Sequence, residues 1–142
     1  AASAYVQSTA AAGDPDAALL AFEAFHLQRR PLLHIGPEKG KHLDGAVKSR
    51  MPMRALELGT YLGYSAIRIG RLLPEGALLL SVEESAENAR LAEANLAHAG
   101  LSGCVRVLRG TAEALRPKLP RAWPVRDVPA PHTAHRRRRP SG

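Results

Sequence analysis

Aromatic residues and long apolar runs are both scarce in this sequence. Phe, Trp and Tyr make up 4% of the 142 residues, whereas apolar residues as a class make up 45%. We therefore expect one globular domain with a core of aliphatic side chains. No apolar run reaches the length of about 18 residues that a bilayer requires, so no membrane span is predicted.

Cysteine is nearly absent. The single cysteine, Cys104, excludes an internal disulfide and is typical of a reducing compartment. It opens an apolar run with neither His nor a basic cluster beside it, so we interpret it as a buried, inert thiol.

The sequence begins without Met and lacks a signal-peptide pattern. We expect a cytoplasmic location, and a lost targeting segment stays open.

Negative charge is scarce near the C-terminus. The formal net charge is +7; residues 121–142 hold six Arg and one Asp, or +5, which leaves +2 on residues 1–120. A nucleic-acid-binding face carries its charge on the folded body, so nucleic acid is not an expected partner. Residues 121–142 also lack aliphatic periodicity. We predict a domain over residues 1–120 and a basic, Pro/Arg-rich, disordered tail over 121–142.

Along the rest of the chain, short apolar runs alternate with segments whose apolar residues recur at helical spacing. Gly13-Asp14-Pro15 predicts a helix start, and one or two helices are expected before residue 54. Buried strands are predicted at 54–58, 77–82 and 104–108, and helices at 63–73, 86–99 and from Thr111 to about 118. This order predicts an α/β fold, namely the first three β-α units of a Rossmann-like, doubly wound parallel sheet.

Functional residues are expected where the strands end, because ligands bind an open parallel sheet at that edge. Gly59 and Gly63 flank the turn after the first strand, where a missing Cβ lets a ligand approach the backbone. Glu83 ends the second strand, a position suited to binding both ribose hydroxyls of an adenosine. The turn 110–113 follows the third strand and is placed to border an adenine.

The spacing of the glycines distinguishes two adenosine cofactors. A nicotinamide dinucleotide site needs Gly-x-Gly-x-x-Gly, so that a helix N-terminus receives the pyrophosphate. Here the spacing is Gly-x-x-x-Gly, and Glu57 precedes the first glycine. A carboxylate at that position repels a pyrophosphate and suits a cationic ammonium or sulfonium. We therefore favour S-adenosylmethionine over NAD.

Four segments carry a family resemblance over about residues 4–119. They are Gly-Asp-Pro at 13–15, Gly-Pro-Glu-Lys-Gly at 36–40, Leu-Glu-Leu-Gly-Thr-Tyr-Leu-Gly-Tyr-Ser at 56–65, and Arg-Leu-Leu at 71–73. Together they resemble the catechol O-methyltransferase family of class I S-adenosylmethionine-dependent O-methyltransferases. The block at 56–65 matches the family at every fixed position.

The resemblance implies a cofactor-binding set. Leu33 and Ile35 would line the methionine side of S-adenosylmethionine, Glu83 would hold the ribose, and Glu84 would lie beside the adenine. The turn after the first strand would bind the methionine portion through Glu57, Gly59, Thr60, Tyr61, Gly63 and Ser65. The adenine would be bordered by Gly110, Thr111, Ala112 and Glu113. Glu84 and Ala112 depart from the family, which has an apolar residue and Ser at those positions.

The resemblance also implies a reaction, methyl transfer to a hydroxyl of a catechol-like small molecule. In the family, magnesium is held by two Asp and an Asn, and a lysine takes the hydroxyl proton. Downstream of Glu113 the sequence offers only Asp127 and Lys118, outside the family's pattern. We therefore name no catalytic residue and no metal ligand, and expect the sequence to be truncated at its C-terminus and inactive on catechols.

Two alternatives stay open at this point: a non-catalytic cofactor-binding or interaction protein, and a basic-tailed nucleic-acid binder. The truncation also predicts that the first strand becomes a sheet edge, although its sequence is apolar. An apolar edge invites pairing with another chain, so we expect an aggregation-prone or partly folded polypeptide.

Overall fold

The structure, a computed structural model, describes residues 1–118 as an α/β fold. The predicted tail at 121–142 lies outside the described residues. The elements in chain order are α1 (Ala2–Thr9), α2 (Pro15–Gln28), α3 (Gly36–Arg50), β1 (Arg54–Leu58), α4 (Tyr64–Gly70), β2 (Leu78–Glu83), α5 (Ala86–His98), β3 (Val105–Arg109) and α6 (Ala112–Leu115), followed by a 3₁₀ turn at Arg116–Lys118. None of the helices within residues 1–118 has both the length and the apolar character needed to cross a bilayer.

Local capping explains where three helices begin. The side chain of Asp14 accepts a hydrogen bond from the backbone N–H of Ala17 at 2.9 Å. Ser85 caps α5 and Thr111 caps α6 in the same way, at 3.2 and 3.1 Å. Each cap satisfies a backbone donor that has no partner inside the helix. All three predicted starts are confirmed.

Three helices precede the sheet, so the expectation of one or two was wrong. The additional helix is α1, which has no side-chain cap and packs against α2 and α5. Its Val6 is fully buried, and Asn95 of α5 donates to Ser3 while accepting from Gln7, each at 3.0 Å. A helix of eight residues is marginal alone. Tertiary contacts, which the sequence pattern does not reveal, stabilise α1.

The sheet is parallel, in the order β1-β2-β3. The predicted parallel α/β class is therefore confirmed. The central strand β2 is buried almost throughout, as its continuous apolar run predicted. Within residues 1–118, β1 pairs on one side only, which confirms its predicted place at an edge.

The prediction that β1 is buried was wrong. Its residues alternate between exposed and half-buried, and Leu56 and Leu58 are 49% and 63% exposed. Successive side chains of a strand point to opposite faces of the sheet. Ala55 packs against the core and Glu57 accepts a hydrogen bond from Ser65 of α4, so the face that they share is the one turned towards α4. The leucines lie on the opposite face.

A buried ionic cluster joins α3 to α4. Asp44 accepts four hydrogen bonds, two from the guanidinium of Arg68 at 3.1 and 2.9 Å and two from that of Arg71 at 3.1 and 2.6 Å. Burial alone would raise the pKa of Asp44, but hydrogen bonds from Arg71 and Arg68 outweigh it and lower the pKa to about 2. A Cβ on Gly40 would lie 2.5 Å from the guanidinium of Arg68, so any other residue there would require that group to shift.

We predict that Asp44→Asn destabilises the fold by about 3 kcal/mol at pH 7, because Arg68 and Arg71 lose the carboxylate that they share and keep only Glu23, at 3.4 Å, and the exposed Asp16. The pKa of Asp44 is lowered from 3.8 to about 2, so its ionic stabilisation is complete above pH 4 and is lost as pH falls to about 2. Urea unfolding across this pH range measures the effect. Asp16→Asn, which changes a 76% exposed partner of Arg71, is the matched control and should cost less than about 1 kcal/mol. Equal losses in the two variants would contradict the prediction.

The exposed edge generates a second prediction for the 142-residue chain. Leu56→Lys should reduce self-association, because a charge on an edge strand opposes pairing with another chain. Size-exclusion chromatography over a range of concentrations measures the monomer fraction. Leu27→Lys places the same change on α2, where Leu27 is 82% exposed, and should have little effect. A monodisperse wild-type monomer with strong amide protection over residues 55–58 would contradict it.

Candidate functional site

The turn between β1 and α4 has an unusual backbone. Gly59, Tyr61 and Gly63 all have positive φ, at 90°, 51° and 94°. Tyr61 is the unexpected member, because a left-handed conformation costs a residue with a Cβ about 1–2 kcal/mol. Its N–H donates to Oε2 of Glu83 at 2.7 Å, and the N–H of Gly59 donates to the carbonyl of Val82 at 2.8 Å. The neighbouring strand β2 thus holds the strained turn in place.

The carboxylate of Glu57 lies under this turn. It accepts hydrogen bonds from the hydroxyls of Ser65 and Ser81, and the Ser81 hydroxyl also lies 2.6 Å from that of Thr60. Burial raises the pKa of Glu57, and the two serine hydrogen bonds offset this effect only in part. The site therefore contains a partly desolvated carboxylate whose charged form is costly, a frequent property of functional residues.

Glu83 connects the ends of the strands. Its side chain accepts from the N–H of Tyr61 through one oxygen and from the N–H of Ser85, at 2.9 Å, through the other. Its carbonyl accepts from the N–H of Gly110 at 2.9 Å, which brings in the end of β3. The structure therefore gathers Glu57, Glu83 and Gly110, predicted from three separate strands, at one edge of the sheet.

A cleft of about 100 Å³ lies beside the turn. Its wall is formed by Leu33, His34, Ile35, Gly59, Thr60, Tyr61, Tyr64 and Ser65. Six of these belong to the predicted cofactor-binding set, and Leu33 among them is 87% exposed. Thr60 is 2% exposed and bonded to Ser81, so its side chain supports the turn.

The remaining predicted residues lie outside this wall. Gly63 is buried and precedes α4 as its N-cap, while Glu84 is exposed just beyond the end of β2. Thr111, Ala112 and Glu113 are exposed on the first turn of α6, which Thr111 caps. Their assignment to the adenine stays a prediction.

Three residues near the site were not in the predicted set. Ser81 is the one hydroxyl-bearing residue in the apolar run at 77–82, and that interruption was an available signal. Tyr64 is 2% exposed and belongs to the hydrophobic core. The ring of His34 stacks on Tyr64 with centroids 4.4 Å apart. The position of His34 between Leu33 and Ile35 in sequence was its only signal.

Residues 1–118 give little support for a metal-binding site or a nucleophilic thiol. No group of three or more His, Cys, Asp or Glu side chains in that range is arranged to hold a metal ion. Asp127 lies outside the described residues. Cys104 is half-buried and directly precedes β3, so the expectation of a buried thiol was wrong; its pKa is nevertheless raised by desolvation, which disfavours the nucleophilic thiolate.

We predict that Glu57→Gln stabilises the fold at pH 7.5 by about 1 kcal/mol, the usual size of such gains at functional sites. The folded-state pKa of Glu57 is raised above 4.5, so its stabilising contribution is complete below pH 4.5 and is lost as pH rises through the folded-state pKa. Thermal unfolding at pH 4 and 7.5 measures the effect, and the advantage of the variant should appear only at the higher pH. A variant less stable than the wild type at pH 7.5 would contradict the prediction.

Comparisons with known proteins agree with this geometry. The sequence pattern of the O-methyltransferase family matches residues 11–122. Mouse catechol O-methyltransferase is 36% identical over 121 residues, covering 85% of this chain and 46% of that protein. Human transmembrane O-methyltransferase is 36% identical over 135 residues, covering 94% and 46%. The chain thus spans about half the length of the curated relatives that it matches.

A solved structure gives the same result for the fold. The O-methyltransferase TomG from Streptomyces achromogenes, which acts in tomaymycin synthesis and was crystallised with S-adenosylmethionine, superposes with a TM-score of 0.64 at 33% identity. The match covers 72% of this chain and 47% of that one. The three-stranded sheet is therefore part of a Rossmann-like methyltransferase fold, and this chain belongs to the O-methyltransferase family.

Proposed function

We propose that this chain binds S-adenosylmethionine in the cleft beside Glu57, and that its protein transfers the methyl group to a hydroxyl of a small molecule. The observation that carries the proposal is the partly desolvated Glu57 carboxylate beneath a left-handed, glycine-bounded turn. The likeness to family members of about twice its length supports the transfer step.

The charge of the site favours the methionine end of this cofactor. Each oxygen of Glu57 accepts one serine hydrogen bond, and a carboxylate oxygen has room for a further donor. The ammonium group of the cofactor can supply that donor and the compensating charge. Because the site is partly desolvated, the attraction is stronger than it would be in water.

In this proposal Glu83 would receive the ribose. Its two oxygens each hold one backbone N–H, and both can accept one further hydrogen bond from a vicinal diol. Gly59 would let the cofactor pass close to the backbone, since its φ of 90° and exposed position suit glycine. The exposed turn at 110–113 would then border the adenine, with Glu84 on the other side.

The reaction itself is a direct displacement. Held beside Glu57 and Glu83, S-adenosylmethionine would supply an electrophilic methyl group to the acceptor oxygen, with its sulfur as the leaving group. The protein's contribution would be mainly alignment of the two reactants, which accounts for a large part of the rate of such reactions. Leu33 and Ile35 would exclude water from the methionine side. The hydroxyl proton must pass to a base, and we assign none within residues 1–118.

The resemblance implies magnesium, which the described residues do not fit. A hard cation requires several oxygen ligands, and residues 1–118 offer no such cluster. The proposed methyl transfer therefore assigns no role to a metal ion bound by residues 1–118. A catechol-like acceptor remains the substrate class that the family favours.

Isothermal titration calorimetry with S-adenosylhomocysteine tests the binding step. Saturable binding that Glu57→Gln weakens would support the proposal, whereas no binding by the folded wild-type chain would refute it. A transfer assay with a catechol, with and without magnesium, then separates an enzyme from a protein that only binds the cofactor. Binding of duplex DNA without binding of S-adenosylhomocysteine would favour the nucleic-acid alternative.

We predict that Glu83→Ala weakens S-adenosylhomocysteine binding by about 1.5–3 kcal/mol, the scale of hydrogen bonds to a charged group. Calorimetry at pH 7.5 measures the loss. Glu87→Ala, an exposed acid on the first turn of α5, is the matched control and should bind normally.

Glu83 also holds the turn, so the variant needs a structural check. Circular dichroism and thermal unfolding should show a folded protein before affinities are compared. An unchanged affinity in folded Glu83→Ala would remove Glu83 from the ribose site.

A further inference from the structure

The segment 32–36, where the loop after α2 leads into α3, carries three residues of the cleft wall (Leu33, His34 and Ile35) and is anchored by two histidines. The N–H of Leu32 donates to Nδ1 of His26 at 2.8 Å. The N–H of Gly36 donates to Nδ1 of His34 at 2.9 Å. Leu33 and Ile35 lie between these two anchors and reach the cleft. Each anchor requires an unprotonated Nδ1, because a protonated nitrogen cannot accept a hydrogen bond.

The ring of His34 lies between two other rings. It stacks on Tyr64 at 4.4 Å with an interplanar angle of 20°, and its centroid lies 4.8 Å from that of His26. Because Nδ1 accepts from Gly36, the neutral ring carries its proton on Nε2. That Nε2 is buried and finds no hydrogen-bond partner within residues 1–118. A second proton, on Nδ1, would point directly at the N–H of Gly36.

The charges around His34 come from α2 and α4. Glu23 favours the imidazolium, but its Oε1 already lies 3.4 Å from the Arg68 guanidinium and accepts from the Tyr64 hydroxyl. Arg68 also donates to that hydroxyl, at 2.7 Å. Burial and the neighbouring His26 lower the pKa of His34, and Glu23 offsets them only in part. His34 is therefore neutral at pH 7, and the loop is anchored.

We propose that His26 and His34 are positioning residues that hold the 32–36 loop against the cofactor cleft, and that protonation of His34 releases the loop and weakens cofactor binding. The inference rests on the proposed function, because the loop matters to the ligand only if the cleft binds it. Because burial and His26 lower the pKa of His34, the loop should be released on the acid side of the ordinary imidazole pKa.

The test compares the wild type with His34→Asn by calorimetry with S-adenosylhomocysteine between about pH 5 and pH 8. The side-chain oxygen of Asn can accept from the N–H two residues later and does not titrate in this range. Each affinity is expressed relative to that of the same protein at pH 7.5, because His34 itself lines the cleft and its replacement changes the wall. Below the pKa of His34, wild-type affinity should fall relative to the variant by up to about tenfold per pH unit. Glu57 is present in both proteins, so its own titration cancels in the ratio.

Two further variants separate the anchor from other effects. His42→Asn alters an exposed histidine of α3 and should follow the wild type at every pH. His34→Phe keeps a ring to stack on Tyr64 but has no acceptor, so it should bind more weakly at pH 7.5 by roughly three- to tenfold, the loss expected for one hydrogen bond. Parallel pH profiles for the wild type and His34→Asn would overturn the proposal, as would wild-type affinity in His34→Phe.

A measurement without ligand keeps the two proposals distinguishable. In amide-detected NMR spectra of the wild-type chain, the Gly36 resonance should move with the titration of the His34 ring. A Gly36 amide that ignores this titration would overturn the anchor whatever the affinities are. Absence of S-adenosylhomocysteine binding at pH 7.5 together with a responsive Gly36 amide would refute the proposed function and leave the histidine anchor standing.

Discussion

The arrangement of the helices depends on the ion pairs and hydrogen bonds that the Arg68 guanidinium group makes. It is 6% exposed and contacts Asp44 of α3, Glu23 of α2 and Tyr64 of its own helix. A buried guanidinium without counter-charge is strongly destabilising, so α2 and α3 must stay where their carboxylates reach it. Because α4 begins directly after the β1 turn, this cluster also fixes the cleft-forming loop relative to that turn.

The site itself is built from groups that would be unfavourable alone. Tyr61 has a left-handed backbone, Glu57 is a partly desolvated acid, and the hydroxyls of Thr60 and Ser81 are buried. Each persists because a partner on β1, β2 or α4 compensates it. Strain held by surrounding structure is typical of sites that bind a ligand in a preformed geometry. The turn is therefore locally less stable, but it fixes the Glu57 carboxylate relative to the exposed backbone of Gly59.

The sequence predicted much of this site because its central block is local. A strand followed by a glycine-bounded turn places Glu57, Gly59, Tyr61 and Ser65 near one another without any distant contact. The partner of Glu57 is different, since Ser81 lies 24 residues away and reaches it only because the parallel register sets them opposite each other. The turn at 110–113 was likewise placed at the correct edge, but its distance from a ligand depends on how the elements pack.

The sequence by itself determined the order of strands and helices, the capped helix starts at Asp14, Ser85 and Thr111, and the glycine turn after β1. These features follow from steric limits and hydrogen bonds within a few residues. Only the tertiary structure decided that α1 is a helix, that the leucines of β1 are exposed, and that His34 lies between Tyr64 and His26. Those outcomes depend on contacts between residues far apart in the chain. Local sequence patterns do not reveal the energies of such contacts.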